Sequence, residues 1–188
     1  MSGSTPNFLS RPRRFGKSLL VSTMEQIFLG NKELFKGLWI YDKIDWQPRP
    51  IIRLSMTEID YKTQDLEAVL SRYLDNLAKK SNVTLEEKTS KEKFMELIKT
   101  LAVEKRVAIL IDEYDKPIID FIEDFKKAEA NRDTLRNFYG ALKDGVVDAH
   151  VDFLFITGIS KFSKTSIFSE MNNLIDLTMN PLAADLCG

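Results

Sequence analysis

The apolar positions of this 188-residue chain follow two different spacings. Four segments repeat apolar residues at intervals of three or four, which places them on one face of a helix. These segments are Leu20/Met24/Ile27/Phe28, Leu66/Val69/Leu70/Tyr73/Leu74/Leu77, Phe94/Leu97/Ile98/Leu101 and Leu135/Phe138/Tyr139/Leu142. Thr89 and Glu92 form a capping-box pattern before the third segment, and Asn131 is positioned to cap the fourth. The spacing therefore predicts four helices.

Short runs of strand-forming residues lie between these predicted helices. The runs are residues 8–9, 51–54, 107–111, 153–156 and 174–177. Two of them are continuously apolar, which is typical of strands covered on both faces in a parallel sheet. The alternation of strands and helices predicts a doubly wound α/β domain. In such domains ligands bind beyond the carboxyl ends of the strands.

The composition fits a folded domain and excludes several kinds of site. Hydrophobic residues make up 44% of the chain and charged residues 29%, which are values of globular proteins. The chain has one histidine, His150, and one cysteine, Cys187, so a His/Cys zinc site and an internal disulfide are both excluded. No apolar run approaches the roughly 20 residues that span a bilayer, and the N-terminus lacks a secretion signal. We therefore expect a cytoplasmic protein without a membrane partner, and any metal bound through oxygen ligands.

A cluster of cations departs from the balanced charge of the chain. The 27 basic and 28 acidic residues give a net charge of −1, so the chain as a whole does not attract nucleic acid. Residues 11–17, after the first predicted strand, nevertheless include Arg11, Arg13, Arg14 and Lys17. The segment ends in the Gly-Lys-Ser of the phosphate-binding loop G-x-x-x-x-G-K-[ST], with arginine in place of the first glycine. In such loops backbone amides and the lysine bind phosphates, and the hydroxyl binds magnesium.

A second motif follows the apolar run 107–111. Asp112, at the end of this predicted strand, can hold magnesium, and Glu113 can polarise an attacking water. The predicted strand 51–54 lies between the two motifs in the sequence. This allows an additional strand to lie in the sheet between the strand before the Lys17 loop and the strand that ends at Asp112. Such a strand is typical of the RecA/AAA-like branch of P-loop ATPases. We therefore predict a three-layer P-loop NTPase fold with a mostly parallel central sheet. The alternatives are a basic turn without a ligand and acids that only cap a strand.

The two motifs and their flanking residues resemble the AAA-ATPase-like family of bacterial proteins. The resemblance is carried by residues 8–18, 110–117 and 157–164, and it extends to residues 172–174 and 186–188. In that family the Arg-Pro-Arg-Arg-Phe-Gly-Lys-Ser run is the usual form of the loop. The resemblance implies that Thr157, or as second choice Ser160, senses the γ-phosphate. Many members have arginine at the position of Lys161 and continue into a PD-(D/E)XK nuclease-like domain. We interpret residues 1–188 as a single nucleotide-binding domain, the truncated core of a longer protein.

Roles for individual residues follow from the motifs and the resemblance, with ATP and Mg²⁺ as cofactors. We assign catalysis to Lys17, Glu113 and Thr157, and metal binding to Ser18 and Asp112. The predicted nucleotide-binding residues are Arg13, Arg14, Phe15, Gly16, Lys17, Ser18 and Leu19. Asp115 and Lys116 are expected to be structural, and the roles of Arg11, Lys161 and Lys164 stay open.

Three functions are compatible with these residues. The first is ATP binding with Mg²⁺-dependent hydrolysis. The second is a nucleotide-gated switch with little turnover that regulates a protein partner or a nuclease-like domain. The third is direct binding of nucleic acid by residues 11–17, whose arginines could instead contact nucleotide phosphates or pair with acids such as Asp115.

Overall fold

The computed structural model describes residues 5–142, 144–160, 167–168 and 174–186. The strands are β1 (Asn7–Ser10), β2 (Ile51–Ser55), β3 (Val107–Asp112), β4 (Val151–Gly158) and β5 (Ile175–Asp176). The α-helices are α1 (Lys17–Phe28), α2 (Leu66–Lys80), α3 (Ser90–Leu101), α4 (Lys116–Ile119), α5 (Phe125–Tyr139) and α6 (Asp144–His150). Short 3₁₀ helices span Lys32–Phe35, Trp39–Asp42, Met56–Glu58, Gly140–Leu142 and Pro181–Leu186. Within the described part of the chain, no helix is long and apolar enough to cross a membrane.

The five strands form one sheet in the order β2-β3-β4-β1-β5, and each neighbouring pair is parallel. This arrangement confirms the predicted α/β fold with a parallel central sheet. The additional strand between β1 and β3 is also present, but it is β4. The predicted strand 51–54, which is β2, is instead an outermost strand of the sheet and, within the described residues, pairs with β3 alone. Its place in the sequence between the two motifs did not determine its place in the sheet, because strand order depends on packing.

Alternating side chains of the sheet supply two separate cores. On one face Phe8, Ile109 and Ile156 join a large cluster that includes residues of α2, α3 and α5. On the other face Leu110 and Phe155 pack in a smaller cluster that includes Val21, Leu20 and Met24 of α1. Successive residues of a strand point to opposite faces, which explains why β3 is buried at all six positions. The result is a sheet between two layers of helices.

The helix starts agree with the sequence pattern in one case and differ in another. Helix α3 begins with the predicted capping box, in which Thr89 accepts from the Glu92 amide and the Glu92 side chain accepts from the Thr89 amide. Helix α5 begins earlier than predicted, at Phe125, where the Asp124 side chain accepts from the Lys127 amide. The predicted cap at Asn131 is wrong. Its side chain is buried and donates to the Pro117 carbonyl at 2.7 Å, so it joins α5 to α4.

Replacing Asn131 with alanine is expected to lower the free energy of unfolding by about 1–3 kcal/mol, because the Pro117 carbonyl loses its buried donor. The matched control is Asn137→Ala on an exposed position of the same helix, expected to change stability by less than about 0.5 kcal/mol. Chemical denaturation of both variants measures the difference. Equal losses would show that the bond to Pro117 does not stabilise this packing.

Candidate functional site

The carboxyl ends of β1, β4 and β3 lie side by side at one edge of the sheet. Ser10, the last residue of β1, is level with Gly158 of β4, and Ile156 of β4 is level with Ile111 of β3. The cationic loop leaves the end of β1, while Thr157 and Asp112 lie at the ends of β4 and β3. The topology therefore brings the two sequence motifs to the same edge.

The face of the sheet on which Asp112 and Thr157 lie is the one covered by α1. Side chains alternate along a strand, so Asp112 shares a face with Leu110, and Thr157 shares a face with Phe155. Leu110 and Phe155 belong to the cluster with residues of α1. The carboxylate and the hydroxyl are thus on the side of the sheet where the helix that begins at Lys17 packs.

Asp112 and Thr157 are joined by a buried hydrogen bond. The Thr157 hydroxyl donates to Asp112 Oδ1 at 2.8 Å. Both residues are buried, at 0% and 3% exposure for Thr157 and Asp112 respectively. A buried carboxylate is costly without a donor, and the threonine supplies one. The bond also fixes the orientation of the carboxylate at the strand end.

Lys17 is folded back onto its own loop. It is the first residue of α1, and its side chain is buried. Its Nζ donates to the carbonyl oxygens of Arg11 and Pro12, both at 2.9 Å. An ammonium group has three N–H donors, so these two bonds leave a third for a ligand. The lysine thereby closes the loop and keeps its charge at the start of α1.

The turn into α1 is made by two residues in the left-handed region. Gly16 has φ +76° and Arg14 has φ +69°. A Cβ atom at position 16 would meet nothing within 4 Å, so the backbone conformation, and not crowding, favours glycine there. Arg11 is not among the described residues with positive φ, so the position of the absent first glycine accepts an arginine without strain.

The remaining predicted loop residues differ in their contacts. Arg11 donates to the carbonyls of Ser10 and Thr178, which ties the loop to the segment after β5. Arg13 lies 4.0 Å from Asp120, and its side chain is 65% exposed. The residues that face solvent are Arg14, Phe15, Ser18 and Leu19. None of the contacts described for these arginines is with Asp115, but Arg13 pairs with a different acid, Asp120, so the alternative that a loop arginine pairs with an acid holds for Arg13.

Glu113 lies at a bend directly after β3. Its φ of +53° turns the chain out of the strand. Its Oε2 is 3.5 Å from the ammonium of Lys116. The carboxylate predicted to polarise water, that of Glu113, is therefore in an ion pair with Lys116. The sequence predicts only a structural role for Lys116.

A group of charged residues around Asp120 was missed by the sequence patterns. Asp120 Oδ2 accepts from the Tyr61 hydroxyl at 2.8 Å and pairs with Lys62 at 3.2 Å and Lys116 at 3.8 Å. Burial by itself raises the pKa of Asp120, but the hydrogen bonds from Tyr61 and Lys62 and the charge of Lys116 outweigh it and hold that pKa below its usual value. The spacing of Lys116 and Asp120 by one helical turn is the sequence signal that could have indicated this ion pair. The contacts with Tyr61, Lys62 and Arg13 are distant in sequence.

Asp115 has a structural environment, as expected. It is fully buried and accepts from the backbone amides of Ile159 at 3.0 Å and Ser160 at 2.6 Å, and from the Ser160 hydroxyl. These bonds direct Ser160 toward Asp115, whereas Thr157 reaches Asp112. Several residues named from the sequence lie outside the described part of the chain: Lys161, Lys164, Asn172, Asn173, Cys187 and Gly188.

Comparison with known proteins identifies related sequences. The sequence model of a family described as "Predicted AAA-ATPase" matches residues 1–168. A similar protein is the "Uncharacterized protein in vnfD 5'region" of Azotobacter chroococcum mcd 1, which is 42% identical over 188 residues. The match covers 98% of this chain but 36% of the relative, so the chain spans about a third of that protein's length. No solved structure matches.

Replacing Gly158 with alanine is expected to destabilise this edge of the sheet by about 1–3 kcal/mol through overpacking. A Cβ atom there would lie 2.4 Å from the ring of Tyr114 and 2.8 Å from Asp115. Gly145→Ala is the control, because a Cβ atom at that helical position meets nothing within 4 Å. Thermal unfolding compares the two variants, and a melting temperature equally affected in both would contradict the close packing at Gly158.

Proposed function

The chain belongs to the AAA-ATPase-like family, and from this premise we propose that it binds ATP with Mg²⁺ and hydrolyses it at the edge formed by β3, β4 and β1. Family membership supports nucleotide binding. The roles of individual residues and the hydrolysis of ATP are our proposal beyond it. The observation that carries them is the hydrogen-bonded pair of Asp112 and Thr157 on the α1 face of the sheet, next to the strand that leads into the Lys17 loop.

Phosphate binding is assigned to the loop and the start of α1. The third N–H of Lys17 would reach a phosphate oxygen, and the amides at the start of this 12-residue helix carry the positive end of its dipole. Arg13 and Arg14 offer exposed cations on the same loop. Phe15, Gly16 and Leu19 would contribute backbone and flanking contacts. The loop conformation, with left-handed residues at positions 14 and 16, directs the chain into the helix.

Magnesium binding is assigned to Ser18 and Asp112. A hydroxyl and a carboxylate are the hard oxygen ligands that Mg²⁺ prefers, and the ion usually completes its shell with nucleotide phosphates and waters. Ser18 is exposed at the second position of α1. The Asp112 carboxylate is oriented by Thr157, so its geometry is set before the ion arrives. When bound, Mg²⁺ would neutralise charge that develops on the phosphate oxygens.

Hydrolysis is assigned to Glu113, with Thr157 and Lys17 as stabilising groups. A water oxygen attacks the γ-phosphorus as the bond from that phosphorus to the β–γ bridging oxygen breaks, which yields ADP and phosphate. Glu113 orients this water and accepts its proton. Lys17 stabilises charge on the phosphate oxygens. Thr157 donates its one hydroxyl proton to Asp112, so it would sense the γ-phosphate through Asp112 and the metal bound there. Catalysis of this kind is positioning and charge stabilisation, without a covalent step by the protein.

One observation favours the second function, a nucleotide-gated switch with little turnover. The carboxylate of Glu113 is paired with Lys116 at 3.5 Å, and a paired carboxylate orients water less freely. In this alternative the nucleotide state would regulate a protein partner or a nuclease-like domain. Steady turnover that depends on Glu113 separates the hydrolase from the switch.

The Lys17→Ala variant is expected to lose binding of a fluorescent ATP analogue by at least about ten-fold, because the buried ammonium both closes the loop and meets the phosphates. Lys99→Ala, at an exposed position of α3, is the control and should bind like the wild-type chain. Titration with Mg²⁺ present measures the affinities. Unchanged binding by Lys17→Ala would contradict the assignment of the loop.

Replacing Glu113 with glutamine is expected to lower kcat for ATP by about 10²–10⁴-fold, the usual contribution of a general base, while analogue binding is retained. Glu104→Gln, an exposed residue before β3, serves as the control. Release of phosphate is measured with Mg²⁺ and again with EDTA, which should abolish turnover. A wild-type rate no faster than that of Glu113→Gln would favour the switch over the hydrolase.

A further inference from the structure

Lys116 is shared between two carboxylates. Its ammonium lies 3.5 Å from Glu113 Oε2 and 3.8 Å from Asp120 Oδ2. Glu113 precedes Lys116 by three residues at the bend after β3, and Asp120 follows it by four residues, one helical turn later, directly after α4. Neither distance is a short hydrogen-bonded contact. A small displacement of this one cation would therefore strengthen one pair and weaken the other.

Asp120 is also shared, and one of its partners belongs to the phosphate loop. Arg13 lies 4.0 Å from Asp120 Oδ1 with a 65% exposed side chain, which makes it the weakest of the ion pairs on this carboxylate. The other oxygen is held by the Tyr61 hydroxyl at 2.8 Å. Because Tyr61 is buried, it fixes Asp120 in place. The cations around Asp120 are thus easier to move than Asp120 itself.

These contacts form a continuous chain of ion pairs from the loop to the proposed general base. The order is Arg13, Asp120, Lys116 and Glu113. A triphosphate at the loop would attract Arg13 away from Asp120. Asp120, with one cation fewer, would attract Lys116 more strongly. Lys116 would then leave Glu113, so that the carboxylate becomes available to water.

We propose that Lys116 and Asp120 are positioning residues that release Glu113 for catalysis when a nucleoside triphosphate occupies the loop. This inference rests on the proposed function. Arg13 exchanges Asp120 for a phosphate, and Asp120 exchanges Arg13 for a closer Lys116, while Glu113, whose side chain is 23% exposed, exchanges its ion pair for water. The relay withholds Glu113 while the loop is empty. It also reconciles the paired glutamate with a hydrolytic role.

The first test uses binding of a non-hydrolysable ATP analogue and does not depend on turnover. Asp120→Asn keeps the acceptor for Tyr61 but removes the charge that holds Arg13. The analogue should bind about two- to five-fold more tightly, the scale of one exposed ion pair. Asp45→Asn, an exposed acid, is the control and should leave the affinity unchanged.

The second test measures kcat in a mutant cycle. In Asp120→Asn, Lys116 has only Glu113 to pair with, so kcat should fall about ten-fold although the analogue binds more tightly. In Lys116→Met, Glu113 is unrestrained, and addition of Asp120→Asn should then leave kcat unchanged. Lys116→Arg should retain the sensitivity to Asp120→Asn. An equal loss of kcat in the wild-type and Lys116→Met backgrounds would overturn the relay.

A variant at the surface gives a change of opposite sign. Lys62 pairs with Asp120 at 3.2 Å from a side chain that is 64% exposed, so its replacement is tolerated structurally. In Lys62→Met, Asp120 should attract Lys116 more strongly, and kcat should rise about two-fold with a higher KM. An unchanged or lower kcat would contradict the relay even if Asp120→Asn folds poorly.

The outcomes separate this inference from the function on which it rests. A wild-type chain that binds no analogue would overturn both. A chain that binds the analogue but does not respond to Asp120→Asn would overturn the relay and leave nucleotide binding intact. Binding that tightens in Asp120→Asn without any wild-type turnover would support the Arg13–Asp120 step and refute hydrolysis.

Discussion

The position of β4 between β1 and β3 is the constraint on which the rest of the site depends. In a parallel sheet all carboxyl ends meet at one edge, and neighbouring strands are spaced by about 4.8 Å. The loop after β1 and Asp112 at the end of β3 are therefore about 10 Å apart in the plane of the sheet, which is room for a phosphate and its metal. Thr157, at the end of the strand between them, orients Asp112 by a 2.8 Å hydrogen bond.

The cationic loop contains four basic residues in four different environments. Lys17 is buried and bonded to carbonyls of its own loop, and Arg11 donates to Thr178 across the edge of the sheet. Arg13 is near Asp120, and Arg14 faces solvent with a left-handed backbone. Charge density alone describes a basic patch. The individual contacts instead distinguish residues that shape the loop from those whose charge is open to a ligand.

The availability of Glu113 decides between the hydrolase and the switch. Its ion pair with Lys116 would be a difficulty for hydrolysis if Lys116 had no other partner. Asp120 provides that partner at a similar distance, and it is itself in contact with the phosphate loop. In the relay that we propose, hydrolysis and gating are two aspects of one arrangement, because the residues that restrain the carboxylate would also respond to the charge of the nucleotide.

The sequence by itself determined the features that depend on local spacing. Runs of apolar residues predicted the central strands 107–111 and 153–156. The three-residue spacing of Thr89 and Glu92 predicted the reciprocal hydrogen bonds that cap α3. The prediction that Asn131 caps a helix was wrong, because its side-chain amide donates instead to the carbonyl of Pro117, fourteen residues away. The order of elements in the sequence favoured strand 51–54 between β1 and β3, where the structure has β4. The sequence patterns also did not indicate that Arg13, Tyr61 and Lys62 meet at Asp120. Only the tertiary structure decided these, because they join distant segments whose proximity results from packing against the shared sheet.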